Sequence, residues 1–425
     1  MRVRTLATRA CFVLLIGAGS AMVVVGVRRE GEPDSEHVPP IAIASDDLPS
    51  SRRWPLQPLS PTRTIAQENA LPGSPDWAIK RPSLVGEVQA YTGSVSVQRS
   101  EALDVYRMGW YGGAGARSVL SMRGVNGEDQ GHWEPLGGLH DCRSCHVDPA
   151  TLLVEANWRR SFVIDVPPDW VSGYYLIKLR ELATGTETYS VFVVRDDAST
   201  ASAIVQASTN TWQAYNTWGD ASLYGSFGAD RKYVAKTRRA YRVSYDRPYD
   251  PRLDDSTNDG AGQLLSWEYD FVRWAERAGY AMTYTTNVDV SLRPETLKRH
   301  RLFISLGHDE YWTAQERDGV EAARDAGVNL AFFGGNDAYW QARLEASSSG
   351  KSSRVLTVFK DARLDPVTRT NPNDSTVLFS DPIVGRPQSL LSGVAYGSNT
   401  TPAYQPWRPA NTDTWIFAHT GIEAS

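Results

Sequence analysis

From Ala203 onward the apolar residues alternate between two periods, and that alternation limits the folds open to the chain. SAIVQAS (Ser202 to Ser208) is a short unbroken apolar run, the pattern of a strand buried on both faces. Gln263 to Ala278 places apolar residues at 264, 267, 271, 275 and 278, a helical period that stops at Gly279, and YAMTYTT (Tyr280 to Thr286) returns to strand. RLFISLG (Arg301 to Gly307) predicts a further strand. Thr313 and Glu316 have the spacing of a capping box for a helix over Ala314 to Ala326, Gly327 ends it, and VNLAFFGG is the next strand. Strand, helix, strand in this order implies a parallel sheet covered by helices on both faces. Ligands of such sheets sit outside the carboxyl ends of the strands. Three polar and aromatic segments fall at that edge: STNTWQAYN after SAIVQAS, HDEYW after RLFISLG, and GGNDAYWQ after NLAFF.

Upstream the pattern differs. Between about Ser83 and Asp197 the apolar runs are short, β-branched or aromatic, and separated by glycine or proline turns. SVSVQRS, SFVIDV, YYLIKLREL and TYSVFVVRD predict antiparallel strands, the last two joined at Thr184-Gly185, and suggest a β-sandwich. RMGWYGGAGAR (Arg107 to Arg117) reads either as a turn packed on Trp110 or as an exposed recognition loop. Residues 28–75 carry nine prolines and no apolar period, so they predict a semi-extended spacer. Ahead of it, Ala10 to Val27 run without a charge, with Arg2, Arg4 and Arg9 before and Arg28 and Arg29 after. That is the pattern of a signal peptide or membrane anchor, and it predicts an extracytoplasmic protein, tethered or secreted. The expected organisation is 1–27 export segment, 28–75 linker, 76–197 β-sandwich and 198–425 α/β domain. With 44 basic against 49 acidic residues the chain has no basic footprint, which argues against a nucleic-acid partner.

Chemistry is narrowed by what is missing. No G-x-S-x-G elbow and no H-E-x-x-H are present. Glu345 stands where the first glycine of a P-loop ending in Gly350-Lys351-Ser352 would be, and Leu265 replaces the third glycine of a dinucleotide fingerprint beginning Gly260-Ala261-Gly262. No cysteine follows Asp197, so the α/β domain has no thiol nucleophile. His308 and Glu310 remain: two apart in an extended segment, they face one cavity as an acid/base pair or as metal ligands, unless the pentapeptide merely satisfies backbone donors before Thr313. Trp212, Tyr215 and Asn216, with Asn336, Tyr339 and Trp340, converge on the same edge. Cys142-Arg143-Ser144-Cys145-His146 fits the haem c attachment pattern, but its β-rich flanks are wrong for a haem module. A zinc site with His140 or His146 and a Cys142–Cys145 disulfide are the other readings, the disulfide favoured for an exported chain.

TWQAYNTWGDASLY (Thr211 to Tyr224), SYDRPYD (Ser244 to Asp250), WAERAGY (Trp274 to Tyr280), SLGHDEYW (Ser305 to Trp312) and GVNLAFFGGNDAYWQAR (Gly327 to Arg343) together resemble the C-terminal domain of the N,N-dimethylformamidase large subunit and its relatives. The resemblance covers Ser202 to the C-terminus and extends more loosely over the β-domain. It implies a glutamine-amidotransferase-like (flavodoxin-like) α/β fold that has lost its thiol. It also implies a mononuclear Fe(III) held by two tyrosines and a glutamate. Carried over, Glu310 is the carboxylate ligand, Tyr215 one tyrosinate, Tyr249 or else Tyr245 the second, and His308 the neighbouring acid/base. Phenolates and a carboxylate are hard donors suited to Fe(III). The known amidase is larger and has a small partner subunit, so the substrate is not inherited, and the family's domain would be expected to continue past Ser425. The resulting expectation is an exported or tethered, iron-dependent C–N hydrolase acting on a small amide, as a homo-oligomer or with a small subunit. Its rival is a non-catalytic surface protein that binds a polymer.

Overall fold

The computed structural model describes residues 10–17, 20–27, 64–70, 76–83, 87–108, 115–121, 128–136, 145–158, 160–181, 184–227, 232–235, 238–250, 258–396, 412 and 421. The architecture is mixed α/β with several sheets. The first half contains a three-stranded antiparallel sheet (Gln89–Thr92, Ala102–Met108, Arg160–Asp165) and a five-stranded sheet. In the latter, Gly173–Glu181 and Glu187–Arg195 form a hairpin pairing Gly173 with Val194 through to Arg180 with Glu187, around the expected turn at Gly185.

Side chains in these strands alternate, and each set finds its own core. Leu103, Val105, Phe162 and Ile164 of the small sheet meet Tyr175, Ile177, Leu179, Phe192 and Val194 of the large one. The intervening residues, Tyr174, Leu176, Tyr189, Val191 and Val193, turn the other way and join a cluster with Val205, Trp212, Leu264, Val272 and Ile304. Burial on both faces explains why an antiparallel hairpin reads as continuous apolar sequence.

The second half is built on four parallel strands: β1 (Ala203–Ala207), β2 (Met282–Thr286), β3 (Leu302–Gly307) and β4 (Asn329–Gly334), in the order β2-β1-β3-β4. One face carries Val205, Met282, Tyr284, Ile304 and Ala331 into the cluster shared with the large sheet. The other carries Ile204, Phe303, Leu330 and Phe332 against Leu297, Val320 and Ala323. The helices are α1 (Thr209–Tyr215), α2 (Tyr269–Arg277), α3 (Asn287–Leu292) and α4 (Ala314–Asp325). α4 starts as expected: Thr313 accepts from the Glu316 amide at 3.0 Å, and the Glu316 carboxylate accepts from the Thr313 amide at 3.2 Å.

Two segments add to what the sequence pattern gives. STNTWQAYN, at the sheet edge, folds mostly into α1, its Ser, Asn and Thr side chains bonding the backbone of the neighbouring strand end. The helix expected from Gln263 begins with a π-helical turn, Leu264–Glu268, before α2. The extra residue of a π turn shifts the helix phase, and Glu268 comes to lie fully buried.

The apolar run expected to export or anchor the chain forms two antiparallel strands, Ala10–Gly17 and Ser20–Val27, with residues 14–16 pairing antiparallel to β4. Its β-branched content, Val23-Val24-Val25 above all, suits an extended backbone. Among the described residues no helix is long and apolar enough to cross a membrane. Most of the spacer, Cys142, His140 and Trp110 lie outside the described residues.

Candidate functional site

Just past the carboxyl end of β3 the chain stays extended, and the His308 and Glu310 side chains lie together, with His308 Nε2 3.5 Å from Glu310 Oε2. The backbone there is fixed by α1. Thr211 Oγ1 accepts from the Glu310 amide at 2.9 Å, Asn210 Nδ2 donates to the Tyr311 carbonyl at 2.8 Å, and Ser208 Oγ donates to the Leu306 carbonyl. From the other side the loop after β4 donates the Ala338 amide to the Asp309 carbonyl and the Tyr339 and Trp340 amides to that of Glu310. The Asp309 side chain is buried beneath the site, accepting from Gln206, Asn287 and Ser305, and burial raises its pKa. Three of the polar segments that sequence places at the sheet edge do converge.

The Glu310 carboxylate, 3% exposed, is held by phenols. Tyr215 at the end of α1 donates to Oε2 at 3.0 Å, and Tyr224, nine residues on, reaches both carboxylate oxygens at 2.6 Å. The two rings stack with centroids 4.3 Å apart, and Tyr311 donates to the Tyr224 hydroxyl at 2.7 Å. Burial raises both phenols, helped at Tyr215 by the Glu310 charge and at Tyr224 by Tyr311 and Glu310. They are therefore neutral donors at ordinary pH. Burial lowers the pKa of His308, only partly opposed by Glu310, so its imidazole is neutral and able to take up a proton. Asn336, in the left-handed conformation an asparagine tolerates (φ 61°), sets its Nδ2 3.3 Å from His308 Nε2. The Trp267 ring lies 6.5 Å from the imidazole, centroid to centroid.

Cationic side chains act on this group: the Arg239 guanidinium interacts with Tyr224 and Tyr311, and Lys360 lies over the rings. Lys360 Nζ sits 3.7 Å above the Tyr224 ring, 4.9 Å from that of Trp340 and 5.1 Å from that of Tyr311. Burial pushes its pKa down to about 7 against the pull of Glu310. Sequence reasoning gave no hint of Lys360, which comes from a loop beyond the mixed sheet formed by Arg242–Ser244, Val355–Thr357, Trp340–Glu345 and Tyr311–Thr313.

His308, Glu310 and Tyr215 are thus brought together as expected, but the second phenol on Glu310 is Tyr224. Tyr249 packs edge-on against Trp212, with ring centroids 6.4 Å apart, and its hydroxyl bonds Gln213. Tyr245 is fully buried and donates to Asn210 Oδ1. Neither hydroxyl is directed to the carboxylate; Gly219 and Asp220, both left-handed (φ 80° and 72°), fold the segment back so that Tyr224 takes the place. Trp212 likewise serves packing, donating to the buried Glu268.

Among the described residues no three His, Cys, Asp or Glu side chains are arranged for a metal; the oxygens gathered at Glu310 include two phenols. Tyr215 and Tyr224 hydrogen-bond Glu310 at 3.0 and 2.6 Å, which sets three oxygens together where a hard cation could be held. Loss of both phenol protons would leave three anionic oxygens, the complement of a trivalent ion. Residues 102–425 match the family model described as N,N-dimethylformamidase beta subunit-like, C-terminal. No curated protein matches the chain.

Proposed function

We propose that this chain, which belongs to the N,N-dimethylformamidase beta subunit-like family, is a hydrolase of amide C–N bonds whose centre is Tyr215, Tyr224, Glu310 and His308. The observation that carries the reading is the pair of phenol hydroxyls on one buried carboxylate with a neutral imidazole 3.5 Å away. A hard cation such as Fe(III), held by the three oxygens, would supply Lewis acidity toward a carbonyl and toward water. The chain's own residues do the rest. His308 Nε2 takes a proton as water oxygen adds to the carbonyl carbon, then returns it to the nitrogen as the C–N bond breaks, giving a carboxylic acid and an amine. Asn336 orients the imidazole, and Lys360 places positive charge beside the oxygens on which negative charge gathers.

We read the two packed sheets of the first half as a β-sandwich and the parallel sheet as the glutamine-amidotransferase-like type. The beta-subunit character of the family supports a partner subunit. Cys145, which is disulfide-bonded, packs beside Trp158, and we assign Cys142 as its partner. The disulfide supports an extracytoplasmic location, which fractionation and N-terminal sequencing of the mature protein would test. Metal analysis and visible spectroscopy test the central claim. The purified protein should retain iron, show a phenolate-to-Fe(III) band and release amine from small N-alkylated formamides. Protein that is folded yet metal-free, and inert after iron is added back, would sink it.

A further inference from the structure

Arg247 is 1% exposed, and its guanidinium donates entirely to oxygens of uncharged groups. Nη1 meets the carbonyls of Trp218 at 2.6 Å and Ala221 at 3.2 Å, Nη2 those of Asn216 at 3.0 Å and Gln213 at 3.4 Å, and Nε the Gln213 Oε1 at 3.4 Å. Burial lowers its pKa to about 10, which leaves it charged at neutral pH. Taking a guanidinium out of water costs several kcal/mol, and a segment needing only to be filled would be filled better by an apolar side chain. The planar fork does what an apolar chain cannot: it ties four carbonyls that lie on different turns of the backbone.

Those carbonyls have one thing in common. All four flank or fall within the segment from Tyr215 to Tyr224: Asn216, Trp218 and Ala221 lie inside it, and Gln213 sits on the last turn of α1 just before Tyr215. Within it, Gly219 and Asp220 are left-handed, and direct ties between its two limbs are the Leu223 amide on the Ala214 carbonyl at 3.0 Å and the stacked rings of Tyr215 and Tyr224. Asn216 extends the clamp, donating to the Pro248 carbonyl and accepting from the amides of Trp218 and Asp250. We propose that Arg247 is a positioning residue that fixes the separation of the Tyr215 and Tyr224 hydroxyls on Glu310, and with it the fit of the three oxygens to a hard cation. The second half of that statement rests on the metal reading above; the first does not.

Arg247→Gln and Arg247→Lys decide it, compared with Arg317→Gln, another buried guanidinium, which bonds Glu321 and the Pro387 carbonyl far from the phenols. Amide exchange across residues 213–224, iron affinity and the visible band are measured on the whole protein. In Arg247→Gln, exchange in that stretch should rise about tenfold or more while β3 and α4 keep their protection. Iron affinity should fall about 10- to 100-fold, the scale on which supporting residues act. Arg247→Lys should fall between, and Arg317→Gln should lower the melting temperature while moving none of the three readouts. Wild-type exchange and an unshifted band in Arg247→Gln would overturn the proposal, as would a rise spread evenly over the domain. If Arg247→Gln does not fold, Arg247→Lys carries the comparison. If the wild-type protein binds no iron, the metal reading falls and the exchange result alone decides the clamp.

Discussion

At the scale of single residues, the site turns on which phenol shares the carboxylate with Tyr215. Tyr224→Phe removes the hydroxyl that touches both oxygens of Glu310 and should reduce iron affinity and kcat/KM on the order of 10²-fold or more. Tyr249→Phe should leave iron content unchanged and cost about 1 kcal/mol through its bond to Gln213. Metal analysis of the two variants, made side by side, separates them; equal iron loss in both would contradict the assignment. His308 and Glu310 were legible because alternation in an extended segment is a local rule. Tyr224 stood inside a quoted motif and was still missed, since a pair of left-handed residues between it and Tyr215 decides where it points. Lys360 had no local signal: it arrives from a different sheet, fifty positions from Glu310 in a chain whose contacts here are tertiary.

At the scale of elements, the ends of β3 and β4 meet at Gly307 and Gly334, which pair in register. A Cβ at Gly334 would lie 1.8 Å from the Gly307 carbonyl oxygen, so Gly334→Ala must push the strand ends apart. The expected cost is about 1–3 kcal/mol. Activity should fall much further than that loss explains, because His308 and Asn336 follow directly and their contact depends on the pairing. Melting curves and steady-state kinetics on the same preparation check this; activity that merely tracks the folded fraction would refute it. For α4, Thr313→Ala should cost about 1 kcal/mol without affecting iron, measured by denaturant titration. β1 to β4 and α4 were readable because strands buried on both faces and a capped helix announce themselves locally. α1 was not, since its Asn210 and Thr211 look like loop residues until the Glu310 and Tyr311 backbone they bind is in place.

At the scale of the whole molecule, burial raises the pKa of several carboxyls at once. Glu268 is pushed up to about 8 by burial, although Tyr174, the Ser208 amide and Trp212 all donate to it, and burial raises Asp309, Glu316 and Asp337 as well. In the unfolded chain Glu268 titrates near its ordinary value of 4.5. The folded state therefore keeps a proton that the unfolded state loses, and this contribution to stability is complete below about 4.5 and is lost as pH rises to about 8. Glu268→Gln should flatten the fall by roughly 1 kcal/mol per pH unit across that window, as read from denaturant midpoints at several pH values; an unchanged slope would show that Glu268 is already ionised in the native state.

The division of the sequence near 197 rested on a change of period, which marks a change of secondary structure and says nothing of where a core ends. Tyr174 of the first half reaches Glu268 of the second, and Tyr174, Leu176, Tyr189, Val191 and Val193 share a cluster with β1 to β3. Each of those side chains gains about 2 kcal/mol from that burial. Evolution can shuffle modules by recombination only where the halves stay soluble apart. A crossover at this seam would leave two sticky, half-built proteins, so the β-rich half has to be inherited together with the parallel-sheet half, as a fixed wall of the fold and not as an interchangeable attachment.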